Sequence, residues 1–210
     1  MNKLFVLSVA AVALTTSVAW AQSAYVNDGG TNNYTAIAQI GADSASNAYV
    51  TQTSDGQSNA ATISQGANGA VSGANASITQ TGPGWQGATI TQDYGTTLNA
   101  SINQSNSSNQ ASITQSTSNN ATAGVTQSGA GGWASITQQG GNLQTATISD
   151  SGTSNGASIS QGSAWGSVSS QNASVAQGGG SNSATISQTQ SNTTATVTQA
   201  GVGGRVTIHQ

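Results

Sequence analysis

The sequence predicts an all-β protein, a repeat β-solenoid of about fifteen short strands. A motif of the form Ala-Ser/Thr-Ile/Val-Ser/Thr-Gln recurs along most of the 210 residues. Within each copy, two classes of side chain alternate at every second position, which is the period of a strand and not of a helix. Ser, Thr, Asn and Gln make up 102 residues and Gly another 27, so an ordinary core of Leu, Phe and Met is missing. Such a composition belongs to disordered chains or to stacked repeats, and the regular motif favours stacked repeats.

The central aliphatic residue of the motif defines fifteen units, spaced 11 to 16 residues apart. Stacking the units would place these side chains in one continuous, narrow core, because a single unit has too little apolar surface to fold alone. The predicted core residues are Ile37, Val50, Ile63, Ile78, Ile90, Ile102, Ile113, Val125, Ile136, Ile148, Ile159, Val175, Ile186, Val197 and Ile208.

Two residues after the aliphatic position, fourteen of the fifteen units carry Gln. Stacked Gln side chains can hydrogen-bond along the stack, so these residues predict a ladder. They are Gln39, Gln52, Gln65, Gln80, Gln92, Gln104, Gln115, Gln127, Gln138, Gln161, Gln177, Gln188, Gln199 and Gln210. The remaining unit has Asp150, which we interpret as a gatekeeper that slows premature stacking. The Asn residues that precede most strands predict a second ladder.

The first 21 residues have the pattern of a secretory signal peptide. Lys3 is followed by an apolar run that is too short to span a membrane, and Ala19-Trp20-Ala21 fits the small-x-small cleavage rule. We therefore expect cleavage between Ala21 and Gln22 and export of the rest of the chain.

The charge and composition exclude several classes of function. The chain has two Lys or Arg, five Asp, one His and no Cys. Phosphate neutralisation needs a basic surface, so we expect no nucleic-acid partner. Acid–base and metal chemistry draws on residues that are almost absent, so we expect no enzyme activity, no catalytic or metal site and no cofactor.

The repeats resemble the curlin family, whose motif is Ser-x5-Gln-x-Gly-x2-Asn-x-Ala-x3-Gln. Its second half is matched in full by the four segments that run from Asn59 to Gln65, Asn109 to Gln115, Asn155 to Gln161 and Asn182 to Gln188. Near matches, with Asn displaced by one residue, occur at Asn47, Asn75, Asn99, Asn120, Asn172 and Asn192. The resemblance covers residues 33–210.

The resemblance implies a subunit of curli, the extracellular functional amyloid of bacterial surfaces, with a role in biofilm matrix and adhesion. It implies self-assembly into a homopolymeric fibre and a partner subunit, either the nucleator or the major subunit, and it does not say which of the two this chain is. It also implies an outer-membrane secretion pore with periplasmic accessory proteins. Residues 22–35 occupy the place of the family's secretion-targeting segment, and 36–210 would form the repeat solenoid.

The arrangement of strands within one rung has two alternatives. The resemblance implies two strands per rung, which gives two stacked parallel sheets and places Asp150 between Gln127 and Gln177. A coil with one unit per turn would place Asp150 between Gln138 and Gln161 instead.

Two other functions are alternatives to a fibre subunit. Hydroxyl pairs such as Thr89 and Thr91 suit an ice-binding solenoid, although the irregular spacing of the units argues against a flat ice-matching face. The chain would otherwise be a passive adhesin or matrix stalk. Trp85, Trp133 and Trp165 lie in or beside predicted loops, where they either contact sugars or partner surfaces or are ordinary surface aromatics.

Overall fold

The structure is a computed structural model that describes residues 9–15, 23–29, 32–40, 42–53, 58–162 and 168–210. Numbered in chain order, its 22 strands form two long parallel sheets and two short ones. The signal-peptide junction at Ala21 and Gln22, and Trp165, lie outside the described residues. Within the described residues, no helix is long and apolar enough to cross a membrane.

The nine-stranded sheet is called sheet A. Its strands in spatial order are β1 (Val9–Thr15), β3 (Tyr34–Ile40), β6 (Asn59–Gln65), β9 (Gln86–Asp93), β12 (Gln110–Ser116), β14 (Trp133–Gln139), β17 (Gly156–Gly162), β20 (Ser183–Gln188) and β22 (Arg205–His209).

The eight-stranded sheet is called sheet B. Its strands are β2 (Ser23–Asp28), β5 (Asn47–Thr53), β8 (Asn75–Thr81), β11 (Asn99–Ser105), β13 (Thr122–Gln127), β16 (Thr145–Asp150), β19 (Asn172–Gln177) and β21 (Thr194–Gln199). Successive strands of the chain alternate between the two sheets, so each rung contains one strand of each. The prediction of a β-solenoid with two strands per rung is confirmed.

The strand count differs from the predicted fifteen for two reasons. All fifteen predicted units form strands of sheets A and B, but β1 and β2 are additional main-sheet strands. Five short strands form between the main ones: β4 (Ala42–Ser44), β7 (Val71–Ser72) and β10 (Gly95–Thr96) pair together, and β15 (Gly141–Asn142) pairs with β18 (Val168–Ser169). β7 and β18 lie in the two longest inter-unit segments, whereas β10 and β15 lie in segments of ordinary length.

The position of Asn separates the strands of the two sheets. Before sheet A strands, Asn stands two residues ahead of Ala and is buried, as at Asn109 and Asn182. In four sheet B strands, Asn stands directly ahead of Ala on the outer face, as at Asn75 and Asn99, whereas Asn120 and Asn192 stand three residues ahead of Ala in the turn before the strand. The full and near matches to the repeat motif are therefore two kinds of half-rung.

The core between the sheets is thin and almost entirely Ala, Ile and Val. Fourteen of the fifteen predicted aliphatic residues are buried; Ile208, on the last strand of sheet A, is only partly buried. A second, smaller cluster of Val71, Ala74, Leu98 and Ala121 lies at the turns that lead from sheet A into sheet B. The sequence did not predict this cluster, because it lies outside the repeated motif.

The turn before each strand from β5 to β21 of sheet B has one residue in the left-handed region, two residues ahead of the strand. Gly73 and Asn120 tolerate this conformation, but the equivalent Thr97 has a φ of 53° and is β-branched. We expect Thr97→Asn to raise the free energy of unfolding by about 1 kcal/mol, since Asn relieves the clash at an exposed site. Denaturant unfolding followed by circular dichroism would measure this gain. Thr97→Val keeps the branched side chain and should give no gain; an equal gain would contradict the explanation.

Candidate functional site

From β3 to the end of the chain, the Gln side chains of sheet A form one unbroken ladder. In each step the Nε2 group of one Gln donates to the Oε1 atom of the next, with donor–acceptor distances of 2.7 to 3.0 Å. The ladder follows the strand register, which places identical side chains above one another. Its members are Gln39, Gln65, Gln92, Gln115, Gln138, Gln161, Gln188 and Gln210.

The same amide groups also tie the two sheets together. Gln115 Nε2 donates to the backbone oxygen of Asn99 at 3.1 Å, and Gln138 Nε2 donates to that of Thr122 at 3.0 Å. In both cases the acceptor lies directly before an Ala of the opposite sheet, where the small side chain leaves space for the Gln. A side chain at the ladder position therefore accepts one hydrogen bond and donates two, as a Gln amide group can. The Ala of the opposite sheet leaves room for the second donation, which explains why the motif pairs Ala with Gln.

Sheet B carries a second ladder, and Asp150 interrupts it. Gln52, Gln80, Gln104 and Gln127 are joined by bonds of 2.7 to 2.9 Å, and Gln177 donates to Gln199 at 2.9 Å. Asp150 is in register with Gln127 on one side and Gln177 on the other, as the two-sheet alternative predicts.

The Asp150 carboxylate accepts hydrogen bonds from the turn that follows it and makes none with the neighbouring Gln side chains of the ladder. Its Oδ1 atom accepts from the backbone N–H of Gly152 at 3.0 Å and from Asn155 Nδ2 at 2.8 Å. Within the described structure, Gln127 Nε2 and Gln177 Oε1 are buried without a hydrogen-bond partner. A carboxylate has no proton to donate to Gln177, and by turning towards Gly152 it leaves Gln127 without an acceptor.

Gly132 makes room for this arrangement. Several other sheet A strands have Asn at the equivalent position, as at Asn109, Asn155 and Asn182, but a Cβ atom at Gly132 would lie 2.3 Å from Asp150 Oδ2. Asp150 is buried inside the stack, with 2% of its surface exposed.

The predicted Asn ladder exists on the sheet A side, but it joins side chains to backbone. Asn109 Oδ1 accepts from the N–H of Gly132 at 3.0 Å, and Asn155 Oδ1 accepts from the N–H of Asn182 at 2.9 Å. Each Asn thus satisfies a backbone donor in the turn of the next rung. On the sheet B side, exposed Asn side chains pair directly, with Asn47 Nδ2 donating to Asn75 Oδ1 at 2.9 Å.

Strand β2 contains a unit that the sequence analysis missed. Ala24, Tyr25 and Val26 lie in register with Ala48, Tyr49 and Val50, and Asp28 lies at the Gln position beside Gln52. The Asp28 carboxylate accepts from Asn33 Nδ2 at 2.7 Å, five residues later, as Asp150 does from Asn155. The repeated Ala-Tyr-Val triplet was the available signal, and the missing Gln obscured it.

Comparison with known proteins adds no relative. No family model matches the chain, and neither the curated proteins nor the solved structures contain a match. Among the described residues, no group of three or more His, Cys, Asp or Glu side chains is placed to hold a metal ion.

Proposed function

We propose that this protein is a structural subunit of an extracellular, curli-like amyloid fibre that grows by templated strand addition and supports biofilm matrix and adhesion. The observation that carries the proposal is that both Gln ladders run in the same direction, with an unpaired acceptor at the N-terminal end of the sheet A ladder and an unpaired donor at the C-terminal end of the sheet B ladder. The resemblance of the repeats to curlins supplies the expected partners: copies of the same chain, a companion fibre subunit and a dedicated secretion pore with its accessory proteins.

Every ladder bond has the same direction along the stack. The Gln nearer the N-terminus donates and the Gln nearer the C-terminus accepts, so the two ends of the described stack are not equivalent. At the N-terminal end Gln39 Oε1 is buried without a donor, and at the C-terminal end Gln199 Nε2 is buried without an acceptor, within the described residues. Each unpaired group lies on or next to a sheet edge, and such edges recruit further strands.

A second copy, stacked head to tail, would satisfy both ends. Placing its β3 on β22 sets its Gln39 acceptor in line with the Gln210 donor, and placing its β2 on β21 sets Asp28 beside Gln199. A carboxylate suits this place, because it accepts several hydrogen bonds and the Gln199 amide needs only an acceptor. The new rung would also cover Ile208, which is partly buried in the single chain.

Strand β1 occupies the edge that this growth requires. It pairs with β3 and puts Leu14 in register with Gln39. Removal of residues 1–21 by the predicted cleavage would take β1 away and leave the β3 edge open. In this proposal, export and activation of the fibre end are coupled.

The head-to-tail arrangement is tested by cysteine crosslinking in a chain that has no native Cys. Two variants that begin at Gln22, Gln39→Cys and Gln210→Cys, are mixed in equal amounts and left to assemble. Strands stack about 4.8 Å apart, which a disulfide can span, so mild oxidation should give mixed dimers that join position 39 to position 210. Mass spectrometry of the reduced and unreduced digests identifies the pair.

Each variant assembled alone is the control and should give no such dimer. Dimers that join 39 to 39 would show a head-to-head contact and contradict the polarity. Failure of the unmodified chain from Gln22 to form fibres that bind amyloid dyes and give a cross-β diffraction pattern would contradict the fibre function itself.

A further inference from the structure

Three exposed aromatic side chains border one groove on the outer face of sheet A. Tyr34, Trp85 and Trp133 have 49%, 67% and 49% of their surface exposed. The groove between them measures about 680 Å³ and crosses strands β3, β6, β9, β12 and β14. Its volume lies within the usual range of about 300–1,000 Å³ for ligand sites. It lies on the outer face of sheet A, opposite the face that carries the ladder, and its Tyr34 end is on β3.

The aromatic residues are evenly spaced along the stack. Tyr34 is on β3, Trp85 directly precedes β9, and Trp133 is on β14. Each interval is two strands, or about 10 Å at the usual strand spacing. This is close to the length of two hexose units in an extended, β-linked chain.

The floor of the groove is a shallow trough lined with hydroxyl groups. Ala60 and Gly87 follow Tyr34 in the register of sheet A, so the surface drops after Tyr34 until Gln110, the next residue of this row, which directly precedes Trp133. Thr62, Thr89 and Ser112 lie on successive strands along one side of the trough. Hydroxyl groups both donate and accept hydrogen bonds, as sugar hydroxyls do.

No charged side chain is among the described residues that line the groove. A charged polymer would therefore lose hydration without gaining an ion pair. The Trp133 ring is also held in place: a Cβ atom at Gly156 would lie 2.3 Å from Trp133 Nε1, so the indole packs directly over this glycine. A fixed ring loses little conformational freedom when a ligand binds.

We propose that this groove binds a neutral, linear, β-linked hexose polysaccharide that runs along the stack across the strands. One sugar ring in every two lies against an aromatic side chain with its C–H face, and sugar hydroxyls bond to the Thr and Ser row. The site is a second function of the subunit, the attachment of matrix polysaccharide, and its existence does not depend on fibre formation.

Titration of the full chain with cellohexaose, followed by tryptophan fluorescence and calorimetry, tests the site. Binding should shift the tryptophan emission, and Trp85→Ala or Trp133→Ala should weaken the affinity by roughly tenfold. Gly87→Gln tests the site more specifically, because the new side chain fills the trough. A Cβ atom at Gly87 meets only Gln110 Cγ, at 3.9 Å, so the fold accepts the side chain and cellohexaose binding should be lost.

Gly124→Gln is the matched control. Gly124 faces outward on sheet B and a Cβ atom there makes only ordinary contacts of 3.6 and 3.9 Å, so cellohexaose binding should be unchanged. No binding by the unmodified chain, or equal loss in both glycine variants, would overturn the proposal. Equally tight binding of an anionic oligogalacturonate would overturn the selection for a neutral chain. If Gly87→Gln alters only the lateral bundling of the protein, the groove is a contact between copies and the polysaccharide proposal is wrong.

Discussion

Gln115→Glu should destabilise the folded chain by about 3–5 kcal/mol, the cost of an uncompensated buried charge. Gln115 is fully buried, accepts from Gln92 and donates to both Gln138 and the backbone oxygen of Asn99. A carboxylate of the same shape keeps the first bond and loses both donations. Denaturant unfolding followed by circular dichroism would measure the loss, and assembly followed by dye fluorescence should slow in parallel.

Gln139→Glu is the control for this experiment. It is the same chemical change at an exposed position on the neighbouring strand β14, directly after a ladder residue. Its effect should stay within about 0.5 kcal/mol, as for most surface substitutions. Acidification should reduce the defect of Gln115→Glu, because the protonated carboxyl group regains one donor. Equal effects of the two substitutions would show that the ladder contributes nothing specific.

Asp150→Gln should have the opposite effect and stabilise the stack by about 2 kcal/mol. A Gln at this position can accept from Gln127 and donate to Gln177, and each of these unpaired buried groups costs about 1–3 kcal/mol. Loss of the Asp150 bonds to Gly152 and Asn155 offsets part of the gain. In the proposed fibre, removal of the gatekeeper should also shorten the lag before assembly at neutral pH.

Asp150→Asn separates the charge from the ladder. Asn is neutral but one methylene shorter, so it removes the carboxylate without reaching the line of Gln side chains. We expect Asp150→Asn to recover less than half of the stability gained by Asp150→Gln. If the two variants behave alike in unfolding and in assembly, the charge alone accounts for the effect and repair of the ladder does not.

The strands and their inner faces could be predicted from the sequence because the information is local. Alternation at every second residue fixes which side chains share a face, so Ile113 and Gln115 had to point the same way. Fifteen repetitions of this pattern made the assignment robust. Strand β2 was missed because Asp28 replaces the Gln that completes the motif.

Which strands pair with each other could not be predicted from the local sequence. The steps from Ile136 to Ile148 and from Ile148 to Ile159 are 12 and 11 residues, so spacing alone does not distinguish a two-strand rung from a one-strand coil. Where Asn is present, its offset relative to Ala carried this information, because sheet A turns bury an Asn two residues ahead of Ala, as at Asn109, and sheet B strands have Asn at other offsets, as at Asn75. The structure was needed to show that the different offsets belong to two sheets.

By itself, the sequence determined the solenoid class, the strand faces, the aliphatic core and the Gln positions, since each follows from a short period repeated many times. Only the tertiary structure decided which Gln follows which, that Asp150 turns towards Gly152 and leaves two buried groups unpaired, and that Tyr34, Trp85 and Trp133 share a groove. These three aromatic residues are about 50 residues apart in sequence. They border the same groove because each complete rung of the chain adds only about 4.8 Å to the length of the stack. How many residues make up one rung depends on the number of strands in it.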